Sequence, residues 1–172
     1  TNPLIQSLPT DTISLIQLGL VGLLEVGSLC LFFQHPTLAQ ITPDNTLGDE
    51  NSIVTPNQTI RDAVADLIEG GAIRDSNLFH SFLEFNVGNG QRVHFANPDG
   101  ITNILTRVTG NNLSQILGTL GVNGSANLFL LNPNGIAFGS NASLDVAGSF
   151  FASTADSAVF DNGFNFSASD PH

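Results

Sequence analysis

Side chains able to do chemistry are few in this 172-residue sequence. Its four histidines are His35, His80, His94 and His172. His80 and His94 lie inside apolar runs, "NLFHSFLEFNV" (77–87) and "QRVHFAN" (91–97), where a histidine reads as strand surface or as a satisfied core residue. A serine hydrolase needs its nucleophile on a strained elbow, and no Gly-x-Ser-x-Gly occurs. There is no His-Glu-x-x-His, no EF-hand loop and no Gly-Gly-x-Gly-x-Asp repeat. Asp145, Asp156 and Asp161 fall in successive stretches, as the carboxylates of a polysaccharide lyase or hydrolase would if they aligned on one face. That chemistry usually needs a cationic partner, yet only Arg107 is near in sequence and the chain has no Lys. The residues therefore point away from an enzyme, and those carboxylates read as surface solvation. No cofactor or metal is implied, and the single Cys30 excludes an intrachain disulfide and any zinc site built on two cysteines.

The charge balance narrows the partners. Four Arg stand against 15 acidic residues, a net charge of −11. Nucleic acid is excluded, because binding phosphate needs clustered Lys and Arg. An anionic membrane surface is disfavoured for the same reason. The acidity reads as what keeps an apolar, Gly-rich chain soluble.

The elements come next. Residues 15–33, "LIQLGLVGLLEVGSLCLFF", are nearly all apolar, and Thr37-Leu38-Ala39 places small residues at the −3 and −1 positions of a signal-peptidase site. Residues 1–39 therefore read as a signal-peptide-like export segment cleaved between Ala39 and Gln40. A membrane-spanning helix is the alternative, against which Glu25 would be costly in hydrocarbon. Residues 40–58, rich in Pro, Asn, Asp and Thr, read as an irregular leader with a short strand at Ser52–Thr55. Residues 59–172 then break into short apolar stretches bounded by Gly, Asn and Asp, spaced every 8–12 residues, which predicts an all-β domain. One stretch, "TIRDAVADLIEGG", puts Ile60, Val64, Leu67 and Ile68 at helical spacing with Gly70 as a C-cap, and predicts a helix. "SQILGTL" reads as a weaker helical turn, because of Gly118.

Two turn motifs decide among all-β folds. Asn132-Pro133-Asn134-Gly135 matches a type I turn position by position. It nearly recurs 35 positions upstream as Asn97-Pro98-Asp99-Gly100, and each motif is followed by Ile and flanked by apolar stretches. A sharp corner repeated at an interval suggests a chain that winds. In a parallel β-helix, equivalent corners stack and their asparagines can form side-chain ladders. A sandwich or jelly roll is the competing fold. Gly135 is expected in the left-handed region, so that Gly135→Val costs more than loss of the Asn132 cap.

The residues also carry a resemblance. "NLFHSFLEFNV", "ANPDGITNILTRVTG" and "LFLLNPNGIAFGSNASLDVAGSFFAST", in that order, resemble the N-terminal secretion domain of filamentous-haemagglutinin-type exoproteins, the passengers of two-partner secretion. The likeness spans roughly residues 50–168. It implies a right-handed parallel β-helix with capping strands. It also implies recognition in a Gram-negative periplasm by a dedicated outer-membrane transporter, through that transporter's polypeptide-transport-associated domains, and export to the cell surface. The family's Asn-Pro-Asn-Gly-Ile motif is intact at 132–136. Its Asn-Pro-Asn-Leu motif corresponds to Asn97-Pro98-Asp99-Gly100, which departs at the third and fourth places while keeping a turn. Both corners are thus candidate transporter-recognition residues. Family members are commonly adhesins, haemagglutinins, haemolysins or toxins, so a host or neighbouring-cell ligand is expected through downstream regions. The missing initiator Met and the stop at Asp170-Pro171-His172 are expected of a fragment of a longer exoprotein. A directly adhesive β-helix and a carbohydrate-active β-helix are the alternatives, separated by whether deletion blocks export or only attachment, and by assay on polysaccharides.

Overall fold

A computed structural model describes residues 40–171, and these form a parallel β-helix. Three parallel faces run along it. The first stacks β5 (Asn77–Phe85), β7 (Asn103–Val108), β10 (Asn127–Leu131) and β13 (Phe150–Ser153). The second stacks β3 (Ala63–Gly70), β6 (Arg92–Ala96), β9 (Thr119–Asn123) and β12 (Ser143–Asp145). The third pairs β8 (Ser114–Ile116) with β11 (Ile136–Phe138), and Val87, one coil below, bridges to Ile116. Each coil visits the first, third and second faces in turn, because every strand is too short to do more than one side before a Gly or Asn corner redirects it.

Parallel register puts like positions above one another, so the interior is built of apolar columns. Leu78, Ile104 and Leu128 share one column of the first face, with Phe150 above. Val93 with Leu120, and Phe95 with Val122, form columns of the second. Val87 and Ile116 supply the third wall, and all of these except Phe150 are 0–1% exposed. At about 1.5–3 kcal/mol per fully buried large apolar side chain, these columns are what fixes the coil.

The first coil would present bare strand edges, and antiparallel strands cover them. β1 (Ile41–Pro43) and β4 (Ala72–Arg74) both pair with β5, and β2 (Ser52–Ile60) pairs with β3. A separate antiparallel hairpin of β14 (Ser157–Val159) and β15 (Asn165–Ser167) packs on the outside of the first face. There Phe160, Phe164 and Phe166 surround Phe79 edge-on at centroid distances of 5.9, 5.4 and 4.9 Å.

Three expectations are corrected here. Residues 59–71 hold no helix; they contribute to the β2–β3 hairpin, whose tip residues Arg61 and Asp62 have φ of 51° and 61° as a primed two-residue turn requires. The helical spacing is incidental: β3 lies in the sheet between β2 and β6, with Ala65 and Ile68 buried and Val64 63% exposed, and the register shift between Thr55 and Gln58 of the paired β2 breaks a simple alternation. "SQILGTL" likewise lies in β8 and β9. Within residues 40–58 the strand expected at Ser52–Thr55 is present and runs on to Ile60 as β2, while β1 adds a second capping strand where an irregular leader was expected.

Candidate functional site

The Asn132-Pro133-Asn134-Gly135 corner links the first face to the third, between β10 and β11. The Gly135 amide donates to the Asn132 carbonyl at 3.0 Å and closes the turn. The Asn134 amide donates to Asn132 Oδ1 at 2.9 Å, the side-chain cap that an Asn in this place provides. Gly135 has φ of 115°, a region L side chains rarely adopt. The corner is also fastened to the coil beneath it. Asn132 is 0% exposed, and its Nδ2 donates to the Asn112 carbonyl and to Ser114 Oγ, both at 3.0 Å. Asn134 is exposed, while its Nδ2 reaches back to the Gly110 carbonyl at 2.8 Å.

Asn97-Pro98-Asp99-Gly100 occupies a different corner, from the second face to the first, between β6 and β7. Its turn is displaced by one residue: the Ile101 amide donates to the Pro98 carbonyl at 3.2 Å, and Gly100 has φ of 83°. Asn97 works as a staple between coils, its Oδ1 accepting from the amides of Ser125 and Ala126 at 2.9 Å each. Pro98, Asp99 and Gly100 are exposed. The two motifs therefore do not stack, and 35 residues is not the coil repeat. The repeat is 26 and then 24 residues, read from the columns of the first face.

The asparagine ladder lies elsewhere. Asn103 Nδ2 donates to Asn77 Oδ1, and Asn127 Nδ2 donates to Asn103 Oδ1, at 2.9 Å each. Asn127 Oδ1 then accepts from the Ser149 amide at 2.8 Å. The signal for it was present in the sequence: Asn77-Leu78, Asn103-Ile104 and Asn127-Leu128 each open a strand of the first face.

The candidate chemical residues are held in structural roles. His80 is sealed in the core, with Ser52 Oγ 2.9 Å from its Nδ1. That oxygen also accepts from the Ser81 amide, and burial pushes the imidazole pKa down to about 3. His94 Nε2 lies 2.9 Å from Asp145 Oδ2, and burial outweighs that carboxylate in keeping the His94 pKa below its ordinary value. Asp156 and Asp161 are exposed and do not join Asp145. Arg107, 3% exposed, donates to Ser81 Oγ, Thr46 Oγ1 and the Ser167 carbonyl at 2.8–2.9 Å and covers the Phe166 ring at 4.6 Å. Ser81 and Thr46 pass their own protons to Asp44 at 2.8 and 2.7 Å. Burial raises the Asp44 pKa, but hydroxyl bonds from Thr109, Thr46 and Ser81 with the Thr46 amide outweigh it and hold the carboxyl below its usual value. Among the described residues no group of three or more His, Cys, Asp or Glu is placed to hold a metal. Ala39 and the apolar segment 15–33 lie outside the described residues. Gln40 is exposed, and its carbonyl accepts from the Asn86 amide at 3.0 Å.

The described residues thus form stacked coils whose polar side chains tie one coil to the next. The sequence matches the TPS secretion domain over residues 39–172. The chain belongs to that family. It is thus a secretion domain of an exported exoprotein, of a family that is not a known enzyme family and that is paired with outer-membrane transporters. Two heme/hemopexin-binding proteins of Haemophilus influenzae are 43% and 39% identical to it over 72 residues, 42% of this chain. The matched stretch spans 8% and 7% of those relatives' lengths. No solved structure is a significant match.

Proposed function

We propose that this TPS secretion domain is the part of a larger exoprotein that a dedicated outer-membrane transporter reads in the periplasm of a Gram-negative-type envelope. Reading occurs through the transporter's polypeptide-transport-associated domains, and the shape of the coil is what they recognise. The observation that carries the reading is the construction of the Asn132–Gly135 corner. Its first side chain, Asn132, is fully buried and bonded to the coil below, which gives the motif a structural job and leaves Asn134 exposed with Pro133 and Gly135 half-buried. Asn97–Gly100 has a similar job at another corner, where Asn97 ties two coils together. Export is taken to begin with cleavage between Ala39 and Gln40. Attachment to host or neighbouring cells, and any heme or hemopexin binding of the kind the relatives' names record, is assigned to other regions of the exoprotein. Co-expression with and without the transporter tests the reading. Export should fall to background without it, and the purified chain should bind the transporter's periplasmic domains. Export at equal levels without the transporter refutes the proposal.

A further inference from the structure

The outward side of the second face carries a polar cluster apart from the two Asn-Pro corners. β12, at one end of that face, is three residues long and pairs with β9 along one edge only. Its Leu144 is 47% exposed, so apolar burial does little to hold it. Asp145 instead gathers donors from strands below. His94 Nε2 lies 2.9 Å from Oδ2, Arg61 Nη1 donates to Oδ1, and Arg92 Nη2 stands 3.8 Å from Oδ2.

The geometry of these contacts spans three coils. In register, His94 on β6 sits below Gly121 on β9, which sits below Asp145 on β12. Adjacent strands are about 4.8 Å apart, so a histidine normally cannot reach two rungs up. It does here because the middle rung has no side chain. A Cβ on Gly121 would lie 2.6 Å from His94 Nε2 and 2.7 Å from the Asp145 carbonyl oxygen. His94 Nδ1 is buried without a partner, which leaves Nε2–H as the donor to the carboxylate.

Arg61 arrives from the tip of the capping hairpin, 84 residues away in sequence. It and Asp62 both hold positive φ without being glycine, a conformation that persists only when the surroundings impose it. Arg61 Nη2 also donates to the Val122 carbonyl at 3.0 Å, and Arg92 Nη1 donates to the Ile60 carbonyl at 3.1 Å. The tip is thus fastened first to the second coil and then, through Asp145, to the third.

We propose that Arg61, His94 and Asp145 form a latch that closes only when the third coil has wound onto the first two, coupling the capping hairpin to the β12 rung of the second face. Gly121 is the window through which the latch acts. Hydrogen–deuterium exchange on the full chain tests it. Arg61→Gly relieves the positive-φ conformation of the tip, so a purely local role predicts unchanged or slower exchange throughout. The latch predicts that amides of Ser143–Asp145 exchange about tenfold faster in Arg61→Gly, while those of β10 keep their protection. Asp145→Asn should do the same and also speed exchange at Ile60–Ala63. The double variant should add little to either single change. Arg61→Lys, which keeps a cation at the tip, should restore part of the protection and decides the matter if Asp145→Asn does not fold. Unchanged β12 exchange in Arg61→Gly, or effects that multiply in the double variant, overturns the proposal.

Discussion

Replacing Asn132 with alanine removes three hydrogen bonds of 2.9–3.0 Å at once, and a fourth, longer one of 3.4 Å from Asn134 Nδ2. The Asn134 amide loses its cap, and the Asn112 carbonyl and Ser114 Oγ lose their donor. Ser114 and Asn132 are both 0% exposed, so water does not replace the missing partner. At about 1 kcal/mol net per bond, and more where a buried group is stranded, the cost is about 3 kcal/mol. Gly135→Val faces a milder problem. A Cβ there would meet only Leu113 Cβ at 3.6 Å, ordinary contact, so the cost is the positive φ alone, about 1–2 kcal/mol. The structure therefore reverses the ranking expected from the turn type. Thermal denaturation of the two purified variants measures it: at about 4 °C per kcal/mol for a domain of this size, Asn132→Ala should melt about 12 °C low and Gly135→Val about 6 °C low. If Gly135→Val is the less stable variant, the claim that Asn132 bolts the corner to the coil beneath is wrong.

Other outcomes follow from the same geometry. Asn103→Ala cuts both bonds of the ladder's middle rung and should cost about 2 kcal/mol, against about 1 for Asn77→Ala at its end, measured by urea denaturation. His80 titrates near 3 when folded and near 6.5 when unfolded, so the unfolded chain takes up the proton first. Its contribution is intact above about pH 6.5 and is lost as pH falls, reaching about 3 kcal/mol at pH 4. His80→Gln should flatten the stability profile between pH 6.5 and 4, and an unchanged slope would show that His80 is not responsible. Mass analysis of the exported product should place its first residue at or near Gln40; a product retaining residues 15–33 rules out that cleavage.

The winding of the chain was legible because short strands punctuated by Gly and Asn leave few other folds, and "NPNG" spells a turn by its chemistry alone. The coil repeat was not read correctly from the two corner motifs, since a turn sequence reports local geometry and not which side of the coil it turns. Asn77, Asn103 and Asn127 carry the true repeat, each followed by Leu or Ile. The β2–β3 hairpin was hidden for a different reason. Its primed turn is made by Arg61 and Asp62, where a Gly or Asn would have announced it, and the register shift between Thr55 and Gln58 breaks the period-two pattern. Contacts such as Arg61 with Asp145 exist only after coils stack, and no spacing in the sequence foretells them.

If the transporter reads the shape set by the Asn132–Gly135 corner, Asn134 is the residue at which shape and direct contact part, because it is exposed and yet bonded to the coil beneath. Melting temperature and export of Asn134→Ala should be measured side by side. Loss of the 2.8 Å bond to the Gly110 carbonyl should cost about 1 kcal/mol, or about 4 °C, with export reduced in step with stability. Export abolished at an unchanged melting temperature would contradict the account and make Asn134 a direct contact of the transporter.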